Sequence, residues 1–432
     1  MTANEYAIHF AEVPRVSDRR SLLHGRFGSA LAFLAPALQF VQFHVIGTLY
    51  ATDLLSLAVV IFSVIPNAQL LNRRLPRRLL GFGLLWLVAQ VTTDLFRATP
   101  FDDYARGWAM IAFALVNFAA LYLLLYQNRR RIVFCAVGFV AGGILTYIFS
   151  PNGFAGAYPW KFGYGYPVTL FVVLVVVLLN QSQTRMLAVT LMMFAAALNL
   201  YEGFRSLSGE CFLTAAFLIM QAAARSRREQ ELRVSFAGSM AGFALLALAG
   251  AGFVHIYEHF AGNGMLGAAA QEKYEVESSG RYGILVGGRT EFVVGLEAAL
   301  NSPLIGHGSW AKDWRYSSRL EGFRDDSGYG AVGPADSWLI PTHSYLMGAW
   351  VCAGILGLPF WLWVLSLPVR GLGRLYSIAE PLTPLIAFLA IGLIWDVLFS
   401  PFGAAQRFSM SFAVVTLIWL LESYPLRGES IA

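Results

Sequence analysis

The chain has 432 residues, of which 57% are hydrophobic and only 13% charged, with a formal charge of +5 at neutral pH and a mean hydropathy of +0.58. A soluble domain carries roughly a quarter charged residues, so the composition argues against a soluble globular enzyme. Nor does the positive charge point to nucleic acid. Of the 31 basic residues 28 are arginine, mostly in short clusters between apolar runs, as in cytoplasmic loops of membrane proteins.

Apolar runs of about 17–25 residues recur along the sequence, the length that crosses a ~30 Å hydrocarbon core. Lipid offers no partner to a free amide or carbonyl, so such runs must be helical. The predicted fold is all-α and polytopic, with about twelve transmembrane helices. Residues 1–28 form a polar tail with Arg15, Arg19, Arg20 and Arg26 and no cleavable signal. Residues 29–256 hold nine predicted spans: 29–47, 53–71, 79–96, 107–126, 132–149, 167–181, 186–201, 209–224 and 234–256. Asp53 and Pro66 interrupt the apolar pattern early. Three more spans follow within 342–424 (342–368, 382–399 and 408–424), then a tail at 425–432. Cys135, Cys211 and Cys352 fall inside apolar runs without CxxC spacing, which indicates neither a disulfide framework nor a zinc site.

Orientation follows from the arginines. With both termini cytoplasmic, the tails and loops on that side hold 19 basic residues. The short loops opposite hold five: Arg97, Arg106, Lys161, Arg205 and Arg407. This is the positive-inside bias of a bacterial inner-membrane protein. Residues 257–341 then form one long periplasmic loop. It carries an amphipathic run at 290–300 and a mixed-charge, aromatic-rich part at 310–338. A loop of this length with helical periodicity reads as a small helical cap, and long loops on rigid scaffolds are where function concentrates.

Three basic groups on that side carry candidate chemistry: Arg205 at the outer end of the seventh span, Arg289 early in the long loop, and His343 where the loop re-enters the membrane. Each has a plain structural alternative. Arg205 would pair with Glu202 or Glu210 or snorkel to headgroups, Arg289 would be a solvated loop charge, and His343 a hydrogen-bonded residue at a helix entrance. Together, two guanidiniums and a group titrating near neutrality suit a site that binds phosphate and moves a proton. Trp310, Trp314 and Trp338 would stack on sugar rings or form an interfacial belt. His307, between two glycines, has no evident metal partner, and the Asp325/Asp326 pair only loosely matches a metal motif.

The stretch from Arg289 to Leu358 resembles the bacterial O-antigen ligase and O-antigen polymerase superfamily of integral-membrane glycan transferases. It reads Gly288-Arg289-Thr290-Glu291, then Ala299-Leu300 and Ser302-Pro303-Leu304-Ile305-Gly306-His307-Gly308. His343-Ser344-Tyr345-Leu346 and Gly354-Ile355-Leu356-Gly357 follow. Asn199 to Ser206 also looks like the family's membrane arginine motif. One position departs: Ala353 stands where the family often has an acidic residue, which weakens a carboxylate role there.

The resemblance implies an undecaprenyl-diphosphate-linked glycan as donor and a sugar hydroxyl of lipid A-core, or of a growing glycan, as acceptor, with membrane lipids around the body. Arg205 and Arg289 would bind the diphosphate and Arg289 would also assist catalysis. His343 would take the acceptor's proton in a single inverting displacement that needs no metal and no cofactor. Ligase and polymerase share this pattern, and a lipid-linked glycan transporter is the alternative from another class.

Overall fold

The computed structural model of the protein describes residues 25–180, 184–226, 236–279, 290–325 and 338–425. Sixteen α-helices occur among them. Seven helical segments are long and apolar enough to cross a membrane: Ala51–Leu71, Arg74–Phe96, Phe101–Leu125, Arg129–Phe149, Trp160–Leu179, Arg205–Ala224 and Ile355–Ser377. Arg185–Tyr201 and Thr383–Phe399 are shorter apolar helices. By this criterion the chain is a helical membrane protein, and the outward apolar residues agree with it. On α2 (Ala51–Leu71) the side chains of Leu54, Ile61, Phe62 and Ile65 are exposed, which water would penalise and lipid would not.

Most predicted boundaries hold within a few residues: α2 is followed by α3 (Arg74–Phe96), α4 (Phe101–Leu125) and α5 (Arg129–Phe149). Next come α6 (Gly165–Leu179), which continues a π-helical turn at Trp160–Tyr164, then α7 (Arg185–Tyr201), α8 (Arg205–Ser226) and α9 (Phe236–Gly262). Local sequence explains the ends. Asp102 and Asp103 occupy the first turn of α4, where the helix dipole favours acidic groups. The Asn128 side chain accepts from the Arg131 N–H to start α5.

Two predicted spans differ. The first, 29–47, does not run through as one helix. α1 (Gly25–Ala37) ends in a short 3-10 turn, and the chain then folds into an antiparallel hairpin of β1 (Gln42–His44) and β2 (Thr48–Tyr50). Pro36 sits in α1's last turn, and a helix continued past a proline loses backbone bonds. α1 instead packs very closely on α5, where a Cβ on Gly138 or Gly142 would come within 2.2 Å of the Phe33 or Pro36 carbonyl. This is the small-residue contact that lets membrane helices approach without a hydrophobic drive.

The tenth span, 342–368, is divided at Gly354. α13 (Tyr345–Ala353) stops there because Gly354 takes φ +71°, a left-handed C-terminus that glycine adopts without strain. After a 3-10 turn, α14 (Leu358–Ser377) makes the crossing. α13 belongs with the segment before it, which contains α10 (Ala268–Ser279), α11 (Thr290–Asn301) and α12 (Trp314–Asp325). Val294, Ala298, Tyr316, Leu320, Met347 and Val351 form an apolar cluster separate from the main core. The amphipathic run expected at 290–300 is α11. α15 (Thr383–Phe399) and α16 (Gln406–Ser423) complete the bundle.

Polar contacts tie each end of the bundle. At the end remote from α11–α13, Arg129 donates to Glu380 (2.7 Å), Tyr424 donates to the same carboxylate (2.6 Å), and Tyr122 donates to Glu422. At the other end Arg407 forms an ion pair with Asp53, which also accepts from the Tyr50 N–H (3.0 Å) and from Asn117 Nδ2 (2.8 Å). Both side chains of this pair are almost fully buried, at 3% and 1% exposure. The pair fastens α2, α4 and α16 together. Removing one partner strands a buried charge, so Arg407→Leu is expected to cost about 3–5 kcal/mol. Adding Asp53→Asn to it should recover part of that loss. Thermal unfolding of the three proteins in detergent checks this, and an Arg407→Leu midpoint equal to wild type would contradict it.

Candidate functional site

The stretch that carries the glycine motif is pinned to the ends of α3 and α4 by one carboxylate. Asp94 Oδ1 accepts from the Ser309 N–H (2.6 Å). Its Oδ2 accepts from Ser309 Oγ (2.7 Å), Trp108 Nε1 (2.8 Å) and Gln90 Nε2 (3.2 Å). Arg97 adds bonds from Nε to the Gly306 carbonyl (2.9 Å) and from Nη2 to Ser302 Oγ (2.6 Å), and the Thr93 hydroxyl donates to the Ile305 carbonyl.

The glycines exist for backbone reasons. Gly306 and Gly308 take φ +75° and +92°, and a Cβ on Gly306 would lie 2.6 Å from the Gly354 nitrogen. The two motif halves interlock: the His307 and Gly308 N–H groups donate to the Val351 and Cys352 carbonyls, and the Ile355 N–H donates to the Pro303 carbonyl. His307 is a structural pin, with Nε2 2.8 Å from the Ala298 carbonyl and its ring edge-on to Tyr316.

The turn ends on Trp310, a non-glycine residue at φ +49°. That conformation costs roughly 1–2 kcal/mol, and such strain persists where the surroundings impose it, often at functional sites. Trp310 forms part of the wall of a cavity of about 160 Å³ that also includes Trp86, Gln90, Ser309, Tyr345 and Phe402. Trp314 and Trp338, the other two tryptophans expected to stack on sugars, are 62% and 59% exposed. Near them the Arg315 guanidinium, bonded to Asp313 (2.6 Å), holds that carboxyl below the usual carboxylate range.

His343 is exposed and immediately precedes α13. Its neighbour Ser344 is the N-cap, accepting from the Met347 N–H and donating to the Val397 carbonyl (2.9 Å). Tyr345 is 1% exposed among Trp361 and Phe402, and its hydroxyl lies near enough to Asp396 to interact with it.

Asp396 opens a second cavity, of about 290 Å³, between α6, α8, α15 and α16. Glu210, Ser206, Ser400, Gln406 and Ser409 give it polar surface, and Phe388, Leu389, Leu393 and Met410 give it apolar walls. Arg205 starts α8 next to Ser206. Its guanidinium lies over the Tyr257 ring at 5.2 Å and donates to the Tyr257 hydroxyl (3.1 Å). Arg205 and His343 are thus at the same end of the bundle, on helices joined through α15, which packs on both α8 and α13. Arg289 and Asp326 lie outside the described residues.

Sequence reasoning missed Asp94 and Asp396, took Glu210 only as a possible partner of Arg205, and gave Tyr345 no role of its own. The three carboxylates carried a signal, since an ionisable residue inside an apolar span is costly and has a task. The chain matches no protein-family model and no curated protein, so these residues are interpreted from their own geometry.

Asp94→Ala would leave four donors short of an acceptor, at about 1–3 kcal/mol for each one that stays buried and unpaired. The turn at 302–309 should come loose, and limited proteolysis should cut between α11 and α12 several times faster than in wild type. Gly308→Ala should behave alike, because its Cβ would sit 2.6 Å from Thr99 Oγ1. Unchanged cleavage rates in both variants would argue against this anchor.

Proposed function

We propose that the protein is an O-antigen ligase-type glycosyltransferase of the bacterial inner membrane. It would move a glycan from undecaprenyl diphosphate to a sugar hydroxyl of lipid A-core at the periplasmic face. The observation that carries the reading is the amphipathic cavity at the level of Arg205, which has polar groups at Ser206, Glu210 and Asp396 and apolar walls below. A lipid diphosphate has the same division, an isoprenoid tail that belongs among helices and a charged head at the surface. An O-antigen polymerase of the same superfamily would use the same donor. A lipid-linked glycan transporter is the second reading, favoured by two carboxylates facing one cavity within the helices.

In this proposal the chain crosses the membrane twelve times, α1–α9 and α14–α16, with both termini cytoplasmic and α10–α13 in a periplasmic cap. The alternation of helix ends supports it: the α3–α4 and α7–α8 junctions share an end with α13, and Arg129, Glu380 and Glu422 share the other. Single cysteines at Ser318 and Ser226 test it in intact cells. A reagent confined to the periplasm should label position 318 and spare 226; the reverse pattern would overturn the orientation.

The acceptor oxygen attacks the anomeric carbon as the bond from that carbon to the phosphate oxygen breaks. The bonding electrons leave with the diphosphate, and His343 takes the hydroxyl proton. Arg205 and Arg289 supply planar donors to the phosphate oxygens as charge gathers there, and one displacement inverts the configuration. His343→Ala should lower turnover by ~10²–10⁴, the usual share of a general base, while donor affinity stays near wild type. Arg289→Lys should weaken both. Activity should fall as pH drops through the histidine's titration, because imidazolium accepts no proton, and it should survive EDTA. Donor binding, turnover and folded yield measured on the same preparations decide. Full turnover in well-folded His343→Ala removes the histidine from the mechanism. Loss to EDTA with rescue by magnesium would recast Glu210 and Asp396 as metal ligands.

A further inference from the structure

The cavity beneath Trp310 is separate from the one at Arg205, and its lining is chemically mixed. Trp310, Trp86, Tyr345 and Phe402 supply aromatic surface and Thr342 brings a hydroxyl group, while the Gln90 amide and the Ser309 and Ser344 hydroxyls in the wall are held by bonds to Asp94, Ser309 and the Val397 carbonyl.

Size narrows the class of occupant. An apolar cavity of about 150 Å³ takes one benzene molecule, so a 160 Å³ cavity takes one six-membered ring. Aromatic side chains with polar residues among them in the wall match a ring that has C–H faces and a hydroxylated edge. The backbone supports a dedicated role for Trp310. Gly306, Gly308 and Trp310 all take positive φ, and the strained conformation holds the indole at the cavity although the two glycines before it carry the turn. Thr342 and Ser344, on either side of His343 in sequence, both belong to the wall. His343 itself is exposed, so the cavity is next to the proposed base without containing it.

We propose that this cavity is a subsite for one pyranose ring of the acceptor glycan, held against Trp310 so that a neighbouring hydroxyl comes to His343. The proposal rests on the glycosyltransferase reading above for the word acceptor, whereas the binding of a pyranose stands or falls alone.

The test is tryptophan fluorescence and ligand-observed NMR on the full-length protein in detergent. Probes are methyl glucoside, galactoside and N-acetylglucosaminide, with cyclohexanol as the same ring bearing one hydroxyl. Wild type should bind at least one glycoside and bind cyclohexanol more weakly. Trp310→Gly removes the indole while keeping a residue for which φ +49° is unstrained, so glycoside binding should drop about tenfold or more with little change in melting temperature. A tryptophan with only a packing role would lower the melting temperature and leave glycoside binding unchanged.

Gly348→Val fills the space from α13, where a Cβ meets only ordinary contact with Thr342 at 3.5 Å. It gives an independent loss of binding should Trp310→Gly fold poorly. In transfer assays both variants should raise the acceptor KM and leave donor KM unchanged. Equal glycoside binding in both variants and wild type overturns the subsite, and so does cyclohexanol binding as tightly as the glycosides. Glycoside binding lost in the variants of a protein that transfers nothing from a lipid diphosphate would keep the subsite and sink the transferase reading.

Discussion

Asp94 anchors the turn at 302–309 to the end of α3. A carboxylate near the end of an apolar helix is stable only if its oxygens are fully used, and here four donors from three segments converge on it. Two of the four belong to Ser309, so the cost of burying Asp94 is offset by fixing the turn at 302–309. That turn in turn fixes α13, because its amides bond the carbonyls of Val351 and Cys352. Gly107 completes the fit, since a Cβ there would lie 1.9 Å from Ser309 Oγ. The position of His343, just ahead of α13, therefore traces back to a residue on α3 some 250 positions earlier in the sequence.

The same arrangement brings two cavities to either side of Tyr345. Its ring is in the wall of the cavity beneath Trp310, and its hydroxyl lies near Asp396 in the wall of the other. Packing against Trp361 and Phe402 leaves the ring little freedom. α13 is short because Gly354 ends it. Its nine residues pack on the outer apolar cluster, and Gly354 turns the chain into the crossing helix.

Hydropathy made most of the helices legible, because a long apolar run has one way to satisfy its backbone in lipid. It failed where an apolar run was interrupted by conformation rather than by polarity. Pro36 and Gly354 each end a helix inside a run that composition alone reads as continuous. The glycine motif was visible, yet its meaning is geometric: positive φ at Gly306, Gly308 and Gly354 and close backbone contact. His307, which showed no metal partner between its glycines, is bonded at both its backbone and its ring. The embedded carboxylates were less legible for a different reason: Asp94, Glu210 and Asp396 meet their neighbours only once distant helices are brought together.

Charge within the larger cavity constrains how a donor would lie in it. Glu210 and Asp396 both face the space between α6, α8, α15 and α16, and neither acidic group offers a diphosphate the positive counter-charge that a guanidinium offers. Arg205 stands at the start of α8, one turn nearer the helix end than Glu210. A phosphate drawn to the guanidinium therefore stays at the rim, and the carboxylates are left to the neutral part of the donor. Hydroxyl groups of a sugar are suitable partners there, since a carboxylate accepts several hydrogen bonds at once. Along this cavity the order would be lipid among the apolar side chains, diphosphate at Arg205, and the first sugar turned toward Asp396 and Tyr345. Tyr345 borders the cavity beneath Trp310 and lies near Asp396, so the anomeric carbon would face the side from which the acceptor comes.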